Sequence, residues 1–367
     1  MANAGDIVTE SEENAFEQRM MQILNNGVIS LGISIGSASG LFETMAELDE
    51  PRSSSEIAEA ACLKERYVRE WLGAMVTSNI VEVDPDRNTY FLPLHRAKSL
   101  SRKKGDGSVA TFSDGVPLLT GVFQDILDCM KKDGPKGVSY SRYPTYTKYS
   151  DEMASLKLQK LPQGYLFTSE EVQSKLVPGA VACDVGCGSG IPVCTLAQLY
   201  PACKFYGVDL SEKAITAAQN RALEMKLTNV TFIQCDASSM AEDWIEKFDI
   251  VVTMAVVHDL PRPDLVHHEI MRILKDDGIY IMEDIDCHSN HSDNIGNPRA
   301  ALYYTWSMFR CMATSLYFDN SFGLGAMWGK ERAIEFLEKM GLECFSSYSL
   351  DNVSRIVYLS KKKMLAD

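Results

Sequence analysis

From about Pro178 the chain alternates short apolar runs with helix-forming stretches, and this alternation limits the possible fold more than any other feature. The runs are "AVACDV", "KFYGVDL", "VTFIQC", "FDIVVTMAVV" and "GIYIMEDI". Between them lie "IPVCTLAQLY", "SEKAITAAQNRALEMK" and "PDLVHHEIMRILK". Near-continuous apolar strands joined by amphipathic helices need a mostly parallel sheet covered on both faces. Two further β runs, "ECFSSYSL" and "SRIVYLS", follow the helix "KERAIEFLEKM". The expected class is therefore α/β, with a doubly wound sheet.

Such sheets bind ligands beyond the C-terminal ends of their strands. There the chain carries "CDVGCGSG", Cys183 to Gly190, between a strand and a helix. A nicotinamide-binding turn needs G-x-G-x-x-G; from Gly186 and Gly188 the third glycine would fall on Ile191, so that pattern is absent. What stands instead is Asp184 two residues ahead of Gly186, then Gly188 and Gly190. A carboxylate there repels a pyrophosphate and suits a ligand's ammonium, while Gly186 and Gly188 let the backbone approach it closely. Asp209 ends the next strand and fits a ribose diol. Asp236, after the strand that follows, is placed to accept from an adenine amino group. Amino acid, ribose and adenine together describe S-adenosylmethionine.

The front of the chain reads differently. Helical spacing runs from about Glu12 to Leu48, interrupted at Gly32, Gly36 and Gly40. Ser54 or Ser55 is placed to cap a short helix through Ala61, and Lys64 to Thr77 form a second helix with Val68, Leu72, Met75 and Val76 on one face. The β runs "IVEV" and "TYFLP" follow, joined by "DPDRN". Helix–turn–helix plus hairpin is the pattern of a winged helix. Over residues 1–100 there are 8 Lys and Arg against 16 Asp and Glu, and the whole chain is at −14. An acidic recognition helix and wing oppose DNA reading and favour a dimerisation or substrate-covering role. Tyr140, Tyr143, Tyr146 and Tyr149 lie in a Pro/Gly/Ser setting and serve either to cover a pocket or to pack between domains. The expected division is a winged-helix and dimerisation domain over 1–98, a linking, substrate-covering segment over 99–160, and a catalytic domain over 161–367.

With these residues in hand, the chain resembles the class I S-adenosylmethionine-dependent methyltransferases. "VACDVGCGSG" looks like that family's first motif, "YGVDLS" its second, "CDA" its third and "FDIVVTMAVVHD" its fourth. "GLFETM", "KERYVREWLGAMV", "FLP" and "GLGAMWG" resemble the subgroup with an N-terminal winged helix that methylates small molecules. The resemblance implies a seven-stranded sheet of order 3-2-1-4-5-7-6 with the last strand antiparallel. It implies S-adenosylmethionine held by Asp184, Gly186, Gly188, Gly190, Asp209, Leu210, Asp236 and Ala237. It further implies that His258, in "AVVHDLP", is the general base and that Glu283, in "IMEDI", is its acidic partner. Asp259 is expected to cap the following turn. The segment Arg299 to Phe318 is expected to wall the acceptor site, with Cys311 as a pocket thiol. His267 and His268 read as surface residues.

No metal site is expected: "CHSNH" (Cys287, His288, His291) lacks a second half, and the ten cysteines show no CxxC. The acidic, polar start lacks a secretory pattern, and no run of 18 apolar residues occurs, which suits a cytoplasmic protein. The expected partners are a small-molecule O- or S-acceptor and a second copy of the chain, with neither membrane nor nucleic acid. A base-amino methyltransferase would show an Asn/Asp-Pro-Pro-aromatic sequence where "MAVVHDLP" stands. The remaining alternative is a cofactor-sensing winged-helix regulator without turnover.

Overall fold

The computed structural model describes residues 10–161, 164–350 and 353–363. Its chain divides into two compact units, one ending at Thr120 and the other beginning at Gly121. This places the first boundary later than residue 98 and splits the segment expected to link the domains.

In the first unit a helix runs from Glu10 to Ala38, straight through Gly32 and Gly36, and stops at Gly40 with φ 75°. The glycines serve close packing: Trp71 Nε1 donates to the Gly32 carbonyl at 2.8 Å. A Cβ at Gly36 would lie 2.5 Å from the Phe42 ring. The next helix, Leu41–Leu48, buries Leu41, Phe42, Met45 and Ala46. Ser53, one residue before the expected caps, closes a capping box with Glu56 and starts the helix Ser54–Ala60. The helix Glu65–Thr77 buries Val68, Trp71, Leu72 and Met75, each burial contributing roughly 1.5–3 kcal/mol. β1 (Glu82–Asp84) and β2 (Thr89–Phe91) pair antiparallel as the wing. Two short helices, Ser108–Ser113 and Gly115–Thr120, complete the unit. They belong here because Ser34 Oγ donates to the Ser113 carbonyl at 2.6 Å and Arg102 pairs with Asp114 at 3.1 Å. The first two helices, bent by 67°, have the length and composition of a broken membrane span, but among the described residues no single helix does.

The second unit holds β3 (Val181–Val185), β4 (Lys204–Asp209), β5 (Val230–Gln234), β6 (Phe248–Met254), β7 (Leu274–Ile285), β8 (Leu342–Leu350) and β9 (Arg355–Lys362). They form one sheet in the order β5-β4-β3-β6-β7-β9-β8, with β9 antiparallel to both neighbours. This is the expected doubly wound, seven-stranded arrangement. Two apolar layers sandwich it. One contains Ala182, Val252 and Ile281; the other contains Cys183, Val251 and Met282. Consecutive strand residues thus enter opposite layers, as the β pleat requires.

Candidate active site

The edge of the sheet where β3, β4, β6 and β7 end carries the predicted residues. Asp184 is almost completely buried, and among the described residues neither of its carboxylate oxygens has a hydrogen-bond partner. Burial, reinforced by the charge of Asp209, pushes its pKa up to about 8, although Lys157 pulls the other way. A buried carboxylate without partners is costly unless a cationic or hydrogen-bonding ligand supplies them. After Asp184 the chain turns through Gly186 and Gly188, at φ 77° and 54°. A Cβ at Gly186 would press on Val256 at 2.7 Å, whereas one at Gly188 would meet no protein atom within 4 Å. Gly188 is therefore the point where a ligand can touch backbone. Gly190 caps the helix Ile191–Leu199, and Ser189 Oγ donates to Asp151 at 2.6 Å, tying the turn to the helix Tyr146–Lys160.

Asp209 Oδ2 accepts from the Gly188 N–H and Oδ1 from the Ser211 N–H, both at 2.9 Å. This fixes the carboxylate beside the glycine turn and leaves each oxygen a second lone pair for a diol. Leu210, next in sequence, is 66% exposed, an apolar surface at the ligand edge. Asp236 is exposed, and its Oδ1 accepts from Ser238 N–H and Oγ at 2.8 and 2.7 Å. Ala237 is half-buried beside it.

His258 sits in a 3-10 turn, Val257–Asp259, just beyond β6. Ala255, at φ 55°, bends the chain off the strand to reach it, a left-handed conformation that costs a non-glycine residue roughly 1–2 kcal/mol. His258 is buried, and its Nδ1 lies 2.6 Å from Asp284 Oδ1. Asp284 accepts in turn from the Ile285 N–H at 2.7 Å and from Trp328 Nε1 at 3.1 Å. The Gly325 N–H donates to the His258 carbonyl at 3.1 Å, so "GLGAMWG" braces both ends of this relay. Burial disfavours the charged imidazole, yet Asp284 and Asp259 outweigh it and hold the His258 pKa well above its usual value.

The acidic partner is thus Asp284 and not Glu283. Glu283 shares a face of β7 with Ile279 and Ile281, while Asp284 shares the other with Tyr280 and Met282. On its own face Glu283 is fully buried, pairing with Lys157 at 2.7 Å and Arg355 at 3.4 Å and accepting from the Tyr165 hydroxyl. Burial opposes its charge, but those cations hold its pKa below the usual value. Nor does Asp259 cap a turn: its Oδ2 pairs with Arg310 and its Oδ1 stands 3.5 Å from His258 Nε2. His267 is also reassigned. It is completely buried, bonded through Nδ1 to the Pro263 carbonyl at 2.8 Å, and burial lowers its pKa to about 4; only His268 is exposed.

The segment after β7 forms the helix Ala300–Trp306, a π-helical turn Ser307–Cys311 and the helix Met312–Leu316. Single π turns recur at functional sites because they re-aim side chains, and this one carries the buried Arg310 and Cys311. The four tyrosines of residues 140–149 gather round it. Tyr146 lies 3.9 Å and Tyr140 5.4 Å from the Arg310 guanidinium, Tyr149 stacks on Trp306, and the Tyr143 hydroxyl donates to the Phe309 carbonyl. The residues of "CHSNH" diverge: Cys287 is buried toward Ala326, His288 bonds Glu331 and His291 packs on Tyr304.

Residues 176–333 match a family model described as a methyltransferase domain, and residues 27–102 match one described as an Rv2258c-like winged HTH domain. The chain thus places a stretch similar to a winged-helix domain ahead of one similar to a methyltransferase domain. The solved mitomycin 7-O-methyltransferase MmcR superposes with a TM-score of 0.74 at 15% identity, covering 96% of this chain and all of that one. Human N-acetylserotonin methyltransferase, solved with S-adenosylmethionine, gives 0.71 at 15% identity, covering 99% and 100%. Among curated sequences, the (S)-coclaurine N-methyltransferase of Papaver somniferum is 24% identical over 187 residues, 49% of this chain and 52% of that protein. The chain spans about half the length of the curated relatives it matches. The family cofactor, S-adenosylmethionine, fits the residues present. Asp184 has two oxygens to offer an ammonium, Gly188 leaves its backbone open, and Asp209 is held ready for a diol.

Proposed function

We propose that this chain methylates a hydroxyl oxygen of a small molecule, with S-adenosylmethionine as donor and His258 as general base. The observation that carries the reading is the buried His258–Asp284 pair, placed just past β6 beside the cofactor edge. When bound, the cofactor supplies an electrophilic methyl group on a cationic sulfur, whose departure needs no acid. The protein's tasks are alignment and removal of the acceptor's proton. Asp184, Asp209 and the Gly186–Gly188 backbone would hold the donor, and Asp236, Leu210 and Ala237 would border its adenine end. In its neutral form, whose share grows as the pH rises because the flanking carboxylates raise the imidazole's pKa, His258 takes the proton through Nε2, Nδ1 being committed to Asp284. Asp284 and Asp259 stabilise the imidazolium that results, and Trp328 keeps Asp284 in place. Glu283 is a structural anchor that ties β7 to Lys157 and Arg355. A sulfur acceptor would use the same base with less demand on it.

The first unit supplies self-association in this reading. Met21, Leu24, Val28, Leu31 and Ile35 recur at spacings of three and four along the helix Glu10–Ala38 and are all exposed. Such a stripe is the seam of a coiled-coil pair, and we assign it to a second copy of the chain. The ten free cysteines suit a reducing, cytoplasmic setting. The deciding experiment supplies methyl-labelled S-adenosylmethionine to the purified protein with fractionated small-molecule extracts. Label should appear in a hydroxyl-bearing product and fall at least a hundredfold in His258→Ala. Label in no small molecule, or undiminished label in His258→Ala, defeats the proposal.

A further inference from the structure

His258, Asp259 and Cys311 present an arrangement that proton abstraction does not require. One ligand atom from each, an imidazole nitrogen, a carboxylate oxygen and a sulfur, lies within 4.8 Å of the other two. We propose that these three side chains form a binding site for a thiophilic divalent cation of the Zn²⁺ type, which excludes the methyl acceptor when bound.

Donor chemistry and spacing both favour this. A nitrogen, an oxygen and a sulfur make a ligand set that suits zinc. Two ligands at 2.0–2.3 Å from a tetrahedral ion stand about 3.3–3.8 Å apart. His258 Nε2 and Asp259 Oδ1 are already 3.5 Å apart, so only Cys311 has to close in. Asp259 Oδ1 is buried and has no hydrogen-bond partner among the described residues.

The surrounding shell is the kind that metal ligands need. A ligating histidine usually gives its other ring nitrogen to a carboxylate, and ligating carboxylates are themselves held by hydrogen bonds. Here Asp284 takes Nδ1 of His258 at 2.6 Å, Trp328 anchors Asp284, and Arg310 grips the other oxygen of Asp259. Arg310 places a cation 4.0 Å from the Cys311 sulfur. The charge balance still favours the ion. With Cys311 as thiolate and His258 neutral, as ligation requires, Asp259, Asp284 and Cys311 carry three negative charges against one on Arg310, an excess that a divalent ion neutralises. Three protein ligands leave a fourth position open, and the ion would occupy the nitrogen that the methyl-transfer reading reserves for the acceptor. Only this last consequence rests on that reading; the site itself does not.

The test titrates Co²⁺, a spectroscopic stand-in for Zn²⁺, into the full-length protein carrying Cys62→Ser, which removes an exposed thiol. The expected result is a thiolate-to-cobalt charge-transfer band that saturates at one equivalent and is displaced by Zn²⁺. The band should vanish in Cys311→Ser, and affinity should fall at least tenfold in Asp259→Asn, which serves if the cysteine variant misfolds. No band, or a band that survives in a folded Cys311→Ser, overturns the proposal. None of these readings needs turnover, so they stand apart from any failure to find an acceptor. In an active preparation, Zn²⁺ should abolish methyl transfer and a chelator restore it; transfer unaffected by saturating Zn²⁺ refutes the exclusion.

Discussion

Replacing Asp184 by asparagine should make the protein more stable and unable to hold its cofactor. In the folded chain this carboxyl is buried with no hydrogen-bond partner among the described residues, and burial pushes its pKa up to about 8 from an ordinary value of 3.8. Because the folded value lies above the unfolded one, the group favours folding fully below about pH 4, and that advantage is lost as the pH rises through 8. Integrated to pH 7, the loss comes to about 4 kcal/mol by linkage, or about 2–4 kcal/mol allowing for relaxation round a buried group. Asparagine keeps the shape and removes the titration. For a unit of this size, that gain raises the melting temperature by roughly 5–15 °C. Scanning calorimetry without ligand should show the two proteins converging near pH 4 and diverging toward pH 8, the variant melting higher. Titration with S-adenosylmethionine should show binding weakened a hundredfold or more, since a neutral amide cannot replace a buried counter-charge worth about 3 kcal/mol. A variant that melts at or below the wild type at pH 7.5, or binds the cofactor equally well, would show that Asp184 is not held for an ammonium.

Asp284→Asn should lower kcat by about 10²–10⁴-fold with little change in KM, as loss of general-base assistance does; a Glu283→Gln variant that matched it would contradict the reassignment. Trp328→Phe leaves Asp284 Oδ2 without its donor and should destabilise the protein by about 1–3 kcal/mol, read by urea unfolding. Leu24→Glu with Val28→Glu should convert a dimer to a monomer by sedimentation velocity without altering the melting of the second unit; a monomeric wild type would remove the seam.

Much of this architecture was legible in the residues. The second unit follows from the alternation of apolar runs and helices, which admits one kind of sheet, and the placement of Asp184, Gly188 and Asp209 along one edge of it is legible because strand ends and glycine turns leave local marks. The partner of His258 becomes legible only with one further physical step. Alternation along "IYIMEDI" puts Glu283 with the isoleucines and Asp284 with Tyr280 and Met282, so parity along β7 separates the two acids, and the neighbours of His258 decide between them. The pairing of Asp259 with Arg310 beside Cys311 is not legible for a different reason. A π turn shifts the helical register that sequence spacing assumes, and Arg310 meets Asp259 across 51 residues. The burial of His267 leaves no mark in the sequence, because an imidazole that bonds its own helix's carbonyl needs no solvent. The boundary at Thr120 depends on Ser34 and Asp114, contacts between segments that periodicity treats separately.

The claim on which the account rests is that acids at the ends of β3 and β4 grip a sulfur nucleoside. Titrating S-adenosylhomocysteine into the wild type and Asp209→Ala by calorimetry tests it most directly. One saturable site in the wild type, weakened at least tenfold in the variant, is the predicted result. No heat with this ligand, or the same affinity in both proteins, would contradict it.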